Sequence, residues 1–222
     1  MPRQALFVPY LAEVIKRFCF KPKLKMIFKL TPPFCHKTEI RSQPRAQHKV
    51  CEPVFYFRFK IINEGKSRAY NCEVILENLW IYDSSKLGKP KLYPNFSPLN
   101  LAWSGNHSKD VRNINPGREI FCDIGHIASK AYQISSEKNK YIDVPSHYEE
   151  ALRFMLELPK FFFSQPNCLI PGKYIIQIGL YSENTDNQKL FLDISWSGKW
   201  KDSEENMFRE IVIKRTEKPK QT

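Results

Sequence analysis

The sequence is poor in glycine, with 8 in 222 residues, and the eight are dispersed. A Gly-rich phosphate-binding loop cannot be built from them. Its six cysteines (Cys19, Cys35, Cys51, Cys72, Cys122 and Cys168) include no CxxC pair, and its five histidines no HExxH. The zinc-finger and zincin spacings are therefore missing, and no metal or cofactor is expected. No apolar run approaches the roughly 20 residues that cross a bilayer as a helix. The apolar run at residues 5–8 is short, and Glu13, Lys16 and Arg17 interrupt the stretch beyond it, which is not the form of a secretory leader. A reducing, cytoplasmic setting is the expectation, and the Asn-x-Ser sequons at Asn95 and Asn106 then count as coincidences of composition.

An enzyme should show a nucleophile, a base and a stabiliser that converge, and none is legible. Cys35 and His36 are adjacent in the chain, which does not set thiol against imidazole, and Glu183, Asp186 and Asp193 read as a solvated loop rather than a calcium site. The chain is expected not to be an enzyme.

What is present is charge at the ends and alternation in the middle. The net charge is +12, but residues 1–50 hold 11 basic against 2 acidic residues and residues 209–222 hold 5 against 2. Residues 51–208 balance at 19 of each sign. The division reads as a basic arm (1–22), a β-sandwich domain (23–216) whose central part is neutral, and a basic tail (217–222). Within the arm, Leu11, Val14, Ile15 and Phe18 follow helical spacing opposite Lys16 and Arg17, which predicts a short amphipathic helix. With Lys21, Lys23 and Lys25 this arm could dock on an anionic membrane surface. Nucleic acid is a weaker candidate partner, because only phosphate contacts by the two ends support it.

The central stretch, residues 54–80, has Phe55, Phe57, Phe59 and Ile61 on one face and Tyr56, Arg58, Lys60 and Ile62 on the other. After Asn63-Glu64-Gly65, Cys72, Val74 and Leu76 repeat the pattern, which predicts a hairpin of two half-buried strands. Pro116-Gly117 and Pro171-Gly172 each read as a type II turn opening a strand. Residues 174–181 and 189–196 flank a polar loop and predict a second hairpin, and residues 207–214 a closing strand. Residues 31–50, with Pro32, Pro33 and Pro44, read as a loop, as do residues 83–100 and 128–150, and residues 199–206 as a polar turn. About eight or nine strands without repeated helices predict an all-β antiparallel sandwich with a short N-terminal helix.

Two runs, KIINEGKSRAYNCEVIL and PGKYIIQIGLYSEN, resemble strand–turn–strand units of immunoglobulin-like domains related to bacterial adhesion and of fibronectin type III modules. The resemblance covers less than a third of the chain and implies fold, not function. It implies that Tyr174 is a corner tyrosine whose hydroxyl bonds nearby backbone. The function expected is a non-enzymatic interaction domain that holds a protein partner through its loops and exposed aromatics. Trp80, Tyr82, Trp196 and Trp200, at strand ends or turns, and the run Phe161, Phe162 and Phe163 are the candidate contacts. A carbohydrate platform would need two or more of Trp80, Trp196 and Trp200 to be coplanar and exposed.

Overall fold

The computed structural model describes residues 20–42, 50–82, 89–105, 111–130, 152–159 and 167–219. The helix expected within residues 9–18 lies outside them. Among the described residues, thirteen strands form two antiparallel sheets. The first sheet contains β1 (Leu24–Ile27), β2 (Cys35–Ser42), β3 (Val50–Asn63), β8 (Glu119–Ala128), β9 (Phe154–Leu156) and β10 (Cys168–Leu169). Its order is β1-β3-β8-β9-β10, with β2 beside β1 on the same edge of β3. The second contains β4 (Ala69–Ile81), β5 (Lys91–Leu92), β6 (Leu99–Asn100), β7 (Val111–Ile114), β11 (Gly172–Tyr181), β12 (Gln188–Trp196) and β13 (Ile211–Thr216). Its order is β13-β12-β11-β4-β5, and β6 and β7 also pair with β4.

The period-2 rows face each other across one core. Phe55, Phe57, Phe59 and Ile61 of the first sheet and Cys72, Val74, Leu76 and Leu79 of the second belong to the same buried cluster, as does Trp103. The result is a sandwich-like all-β architecture. Residues 54–80 do not form a hairpin, however, because β3 and β4 lie in different sheets. Alternation dictates which face of a strand is buried, not which strand it pairs with. Here the five residues between β3 and β4 carry the chain from one layer to the other, so the two apolar rows meet face to face.

Three further expectations change. Residues 35–42 are strand β2 rather than loop: Pro32, Pro33 and Pro44 bracket the strand without entering it, and Cys35 is buried opposite Phe57. Pro116-Gly117 has the positive φ of its turn, +68° at Gly117, but Gly172 is an ordinary strand residue. Finally, residues 204–210, expected to form part of a turn and the closing strand, are helix α1 (Glu204–Glu210). Ser203 caps it by accepting from the Asn206 amide at 3.3 Å, with Glu204 and Glu205 in the first turn and Arg209 in the last. These favour a helix start and end by charge as well as by hydrogen bond. The β11–β12 hairpin forms as expected.

The crossing between sheets is held from the side by the chain leading into β1. Glu64 N–H donates to the Lys23 carbonyl at 2.8 Å. A Cβ on Gly65 would run into the Lys21 carbonyl and the Lys23 amide, and would stand 2.6 Å from Pro22 Cα, all of it backbone. Gly65→Ala is therefore expected to cost about 1–3 kcal/mol, the range of overpacked sites. A thermal melt that matches the wild type would refute the close approach.

Candidate functional site

The aromatic residues expected at the surface are mostly packed. Trp196 is buried, and its indole N–H donates to the Leu152 carbonyl at 3.0 Å. Trp80 is buried too, 6.4 Å from the Phe191 ring, and Tyr82 is half-buried. Trp200 is half-buried, edge-on to Phe55 at 5.1 Å, with its N–H donated to Asp202 at 2.9 Å and the Lys37 ammonium 6.0 Å from its ring. Two of the three tryptophans thus offer no exposed face, so the carbohydrate platform built on them does not form. Phe161, Phe162 and Phe163, and the arm residues Leu11, Val14, Ile15, Lys16, Arg17 and Phe18, lie outside the described residues. Lys21, Lys23 and Lys25 are exposed, and Lys23 and Lys25 pair with Glu64 at 3.7 and 3.2 Å.

Two of the histidines stand on strands. His36 is on β2, and His126 is on β8 with Nδ1 2.5 Å from Glu157. A separation of 31 residues hides the second pairing from the sequence. Burial pushes the Cys35 thiol up to about 12 and Cys72 up to about 11, and raises Cys122 as well. Such thiols are fully protonated near neutrality and are poor nucleophiles. All three are expected to resist alkylation in the native protein at pH 8 and to react on denaturation. Rapid labelling of any of them before unfolding would contradict their burial. Among the described residues no group of three or more His, Cys, Asp or Glu could hold a metal, and no helix is long and apolar enough to cross a membrane.

The structure assembles instead an open cleft of about 640 Å³, of mixed polar and apolar surface, where the β11–β12 hairpin tip meets β4 and β7. Its walls are Asn71 and Glu73 of β4, Val111 of β7, Tyr181 of β11, and Ser182, Glu183 and Asn187 of the tip. Asn71 is the keystone. It sits at φ +48°, within a register irregularity between Ala69 and Cys72. Asparagine tolerates this left-handed conformation better than most residues. Its amide N–H donates to the Asn113 side chain at 2.9 Å, and its carboxamide donates to Glu183. Beside it, Asn184 accepts from the Tyr70 amide at 3.0 Å and donates to the Arg68 carbonyl at 2.9 Å, while the Ser182 hydroxyl donates to the Tyr70 carbonyl at 2.8 Å. Strand β7 and the β11–β12 tip thus clamp the irregular start of β4. Tyr70 and Val111, both exposed, stand at this end of the sheet. The cleft residues come from three separate stretches, so sequence spacing carries no trace of them.

Beyond the cleft, on the outer face of the second sheet, Glu77 accepts from Gln177, Tyr181 and Lys189. Further along, Asp193 has its carboxyl raised above its usual range by burial, against the opposing pull of Lys173 and Lys214. A raised carboxyl means that the folded chain holds that proton more tightly than the unfolded chain. Its stabilising share is present below the ordinary value of 3.8 and is lost as pH rises through the native value. Asp193→Asn is accordingly expected to raise the melting temperature at pH 7, with the gain shrinking toward pH 4. A loss of stability at pH 7 would show that the lysines outweigh the burial.

Compared with known proteins, the chain matches no family model, no curated protein and no solved structure.

Proposed function

We propose that this chain is a non-enzymatic, immunoglobulin-like interaction domain that takes its partner in the cleft around Asn71. The observation that carries the reading is Asn71 itself, a strand residue tied at positive φ by hydrogen bonds to β7 and to the β11–β12 tip, and lining the cleft. Unusual backbone fixed on several sides is characteristic of places that hold a ligand. The polar walls supply acceptors and donors, and exposed Val111 supplies an apolar contact. The immunoglobulin-like reading draws support from Tyr174, whose hydroxyl donates to the Ile170 carbonyl at 2.8 Å, the bond a corner tyrosine makes.

The test is a screen of short peptides and soluble oligosaccharides by amide chemical-shift perturbation. Shifts are expected to cluster on Asn71, Glu73, Val111 and Tyr181. Val111→Arg, which places a bulky cation at the mouth, is expected to weaken binding at least about tenfold, or about 1.4 kcal/mol. Shifts confined to another surface, or affinity unchanged in Val111→Arg, would reject the cleft.

A further inference from the structure

The charge of the cleft runs against the charge of the chain. The chain carries +12 overall, yet the charged residues lining the cleft are two glutamates, Glu73 and Glu183, with no lysine or arginine beside them. Strand register explains this. Val111, Glu73 and Tyr181 lie side by side across β7, β4 and β11, on the face opposite the core residues Cys72, Val74 and Leu180. The basic residues next to this row among the described ones are committed elsewhere. Arg112 pairs with Cys72, whose side chain enters the core, so it is placed on the other face from Glu73. Lys189 stands over the Tyr181 ring at 4.6 Å and donates to Glu77.

The two glutamates differ. Glu183 accepts from the Asn71 carboxamide, whereas Glu73, half-buried, has no hydrogen bond or ion pair among the described residues. A carboxylate partly withdrawn from water and facing no cation costs free energy that an incoming cation recovers. A metal ion is the poorer fit. Calcium takes roughly six to eight oxygen ligands, and among the described residues no group of three or more His, Cys, Asp or Glu could hold one. About 640 Å³ is also the size of pockets that take organic ligands. We propose, on the reading of this cleft as the binding site, that it receives a basic side chain of a protein partner, arginine or lysine. The cation lies against Glu73 and Glu183, and the aliphatic stem lies on exposed Val111.

The test is a titration of the full chain with blocked Gly-Gly-X-Gly-Gly peptides, X being arginine, citrulline or glutamate, followed by amide chemical shifts. Citrulline keeps the shape of arginine without its charge. The arginine peptide is expected to shift Asn71, Glu73, Val111 and Glu183 at about 10 mM or below, and the other two to bind at least about tenfold more weakly. Glu73→Gln should remove most of that preference. Glu73 makes no bond in the fold, so the variant should fold, which its amide spectrum verifies. No shift at Glu73, equal affinity for citrulline, a preference unchanged in Glu73→Gln, or the same shifts from calcium chloride at about 1 mM would overturn the cationic ligand. An uncharged peptide or oligosaccharide that still shifts Asn71 and Val111 would then leave the cleft standing as a site of other specificity. Shifts confined to another surface would reject both.

Discussion

Asn63→Asp is expected to be among the most damaging single substitutions in this chain, and to be worse than Asn63→Ala at neutral pH. Asn63 is buried at the end of β3. Its carboxamide oxygen accepts from the amides of Lys23 at 3.1 Å and Gly65 at 3.0 Å. Its NH₂ donates to the carbonyls of Ser67 at 2.8 Å and Ile114 at 2.9 Å. One side chain therefore joins the approach to β1, the crossing between the sheets and the end of β7. Alanine leaves these four backbone groups to find other partners; only the bond to the Ile114 carbonyl is fully buried, so about 1–3 kcal/mol is expected for the one group left unmet. Aspartate adds a buried carboxylate oxygen aimed at two carbonyl oxygens, so about 3–5 kcal/mol is the expected loss. Domains are stable by about 5–15 kcal/mol, so much of the margin goes. The carboxyl would be held protonated in the fold, its native value raised, so the penalty should shrink as pH falls toward 4. Urea unfolding at pH 7 and pH 4 measures both effects. An aspartate variant more stable than the alanine variant at pH 7 would refute the donor assignment.

Gly125→Ala is the second. Gly125 lies in β8, opposite Phe57 on one side and Leu156 on the other. A Cβ there would strike the Met155 carbonyl oxygen and stand 2.7 and 2.8 Å from the Phe154 ring. The β8–β9 ladder has two registered pairs, Gly125↔Leu156 and His126↔Met155, so one displaced pair is half of it. The expected cost is about 3 kcal/mol, the upper end for overpacking. For a chain of this size that lowers the melting temperature by roughly 6–12 °C. Phe154→Leu in the same chain should recover part of the loss by withdrawing the ring. Hydrogen exchange at residues 154–156 should rise first, and unchanged protection there would place the cost elsewhere.

Much of the fold is legible in the rows of alternating residues, because burial on one face is a property of each strand taken alone. The Phe row of β3 and the hairpin from Tyr174 to Trp196 agree with local pattern, and the bond of the Tyr174 hydroxyl agrees with what the resemblance implied. Pairing is not local. Whether β4 lies beside β3 or opposite it depends on Asn63 and its four backbone partners, which are scattered from Lys23 to Ile114. Prolines obscure β2 in the sequence, since Pro32 and Pro33 precede it and Pro44 comes after it. The tryptophans do stand near strand ends, but a strand end can be capped as well as open, and only the packing of Trp196 on Leu152 settles which. The cleft is invisible in the sequence for a further reason: its keystone is a backbone angle, and nothing about Asn71 beyond its residue type announces a positive φ.

One contact bears on how the chain reaches this fold during synthesis. The outward amide of Lys37, on the edge strand β2, donates to Glu204 at 2.7 Å, and the Lys37 ammonium donates to the Asp202 carbonyl at 2.8 Å. That edge is thus capped by residues made 165 or more positions later. At about 5–20 residues per second, β2 waits roughly 8–33 s for its cover. An uncovered edge invites pairing with other chains. A ribosome stalled before residue 200 therefore holds a strand whose edge is still uncovered, whereas one that has released the last turn of α1 does not.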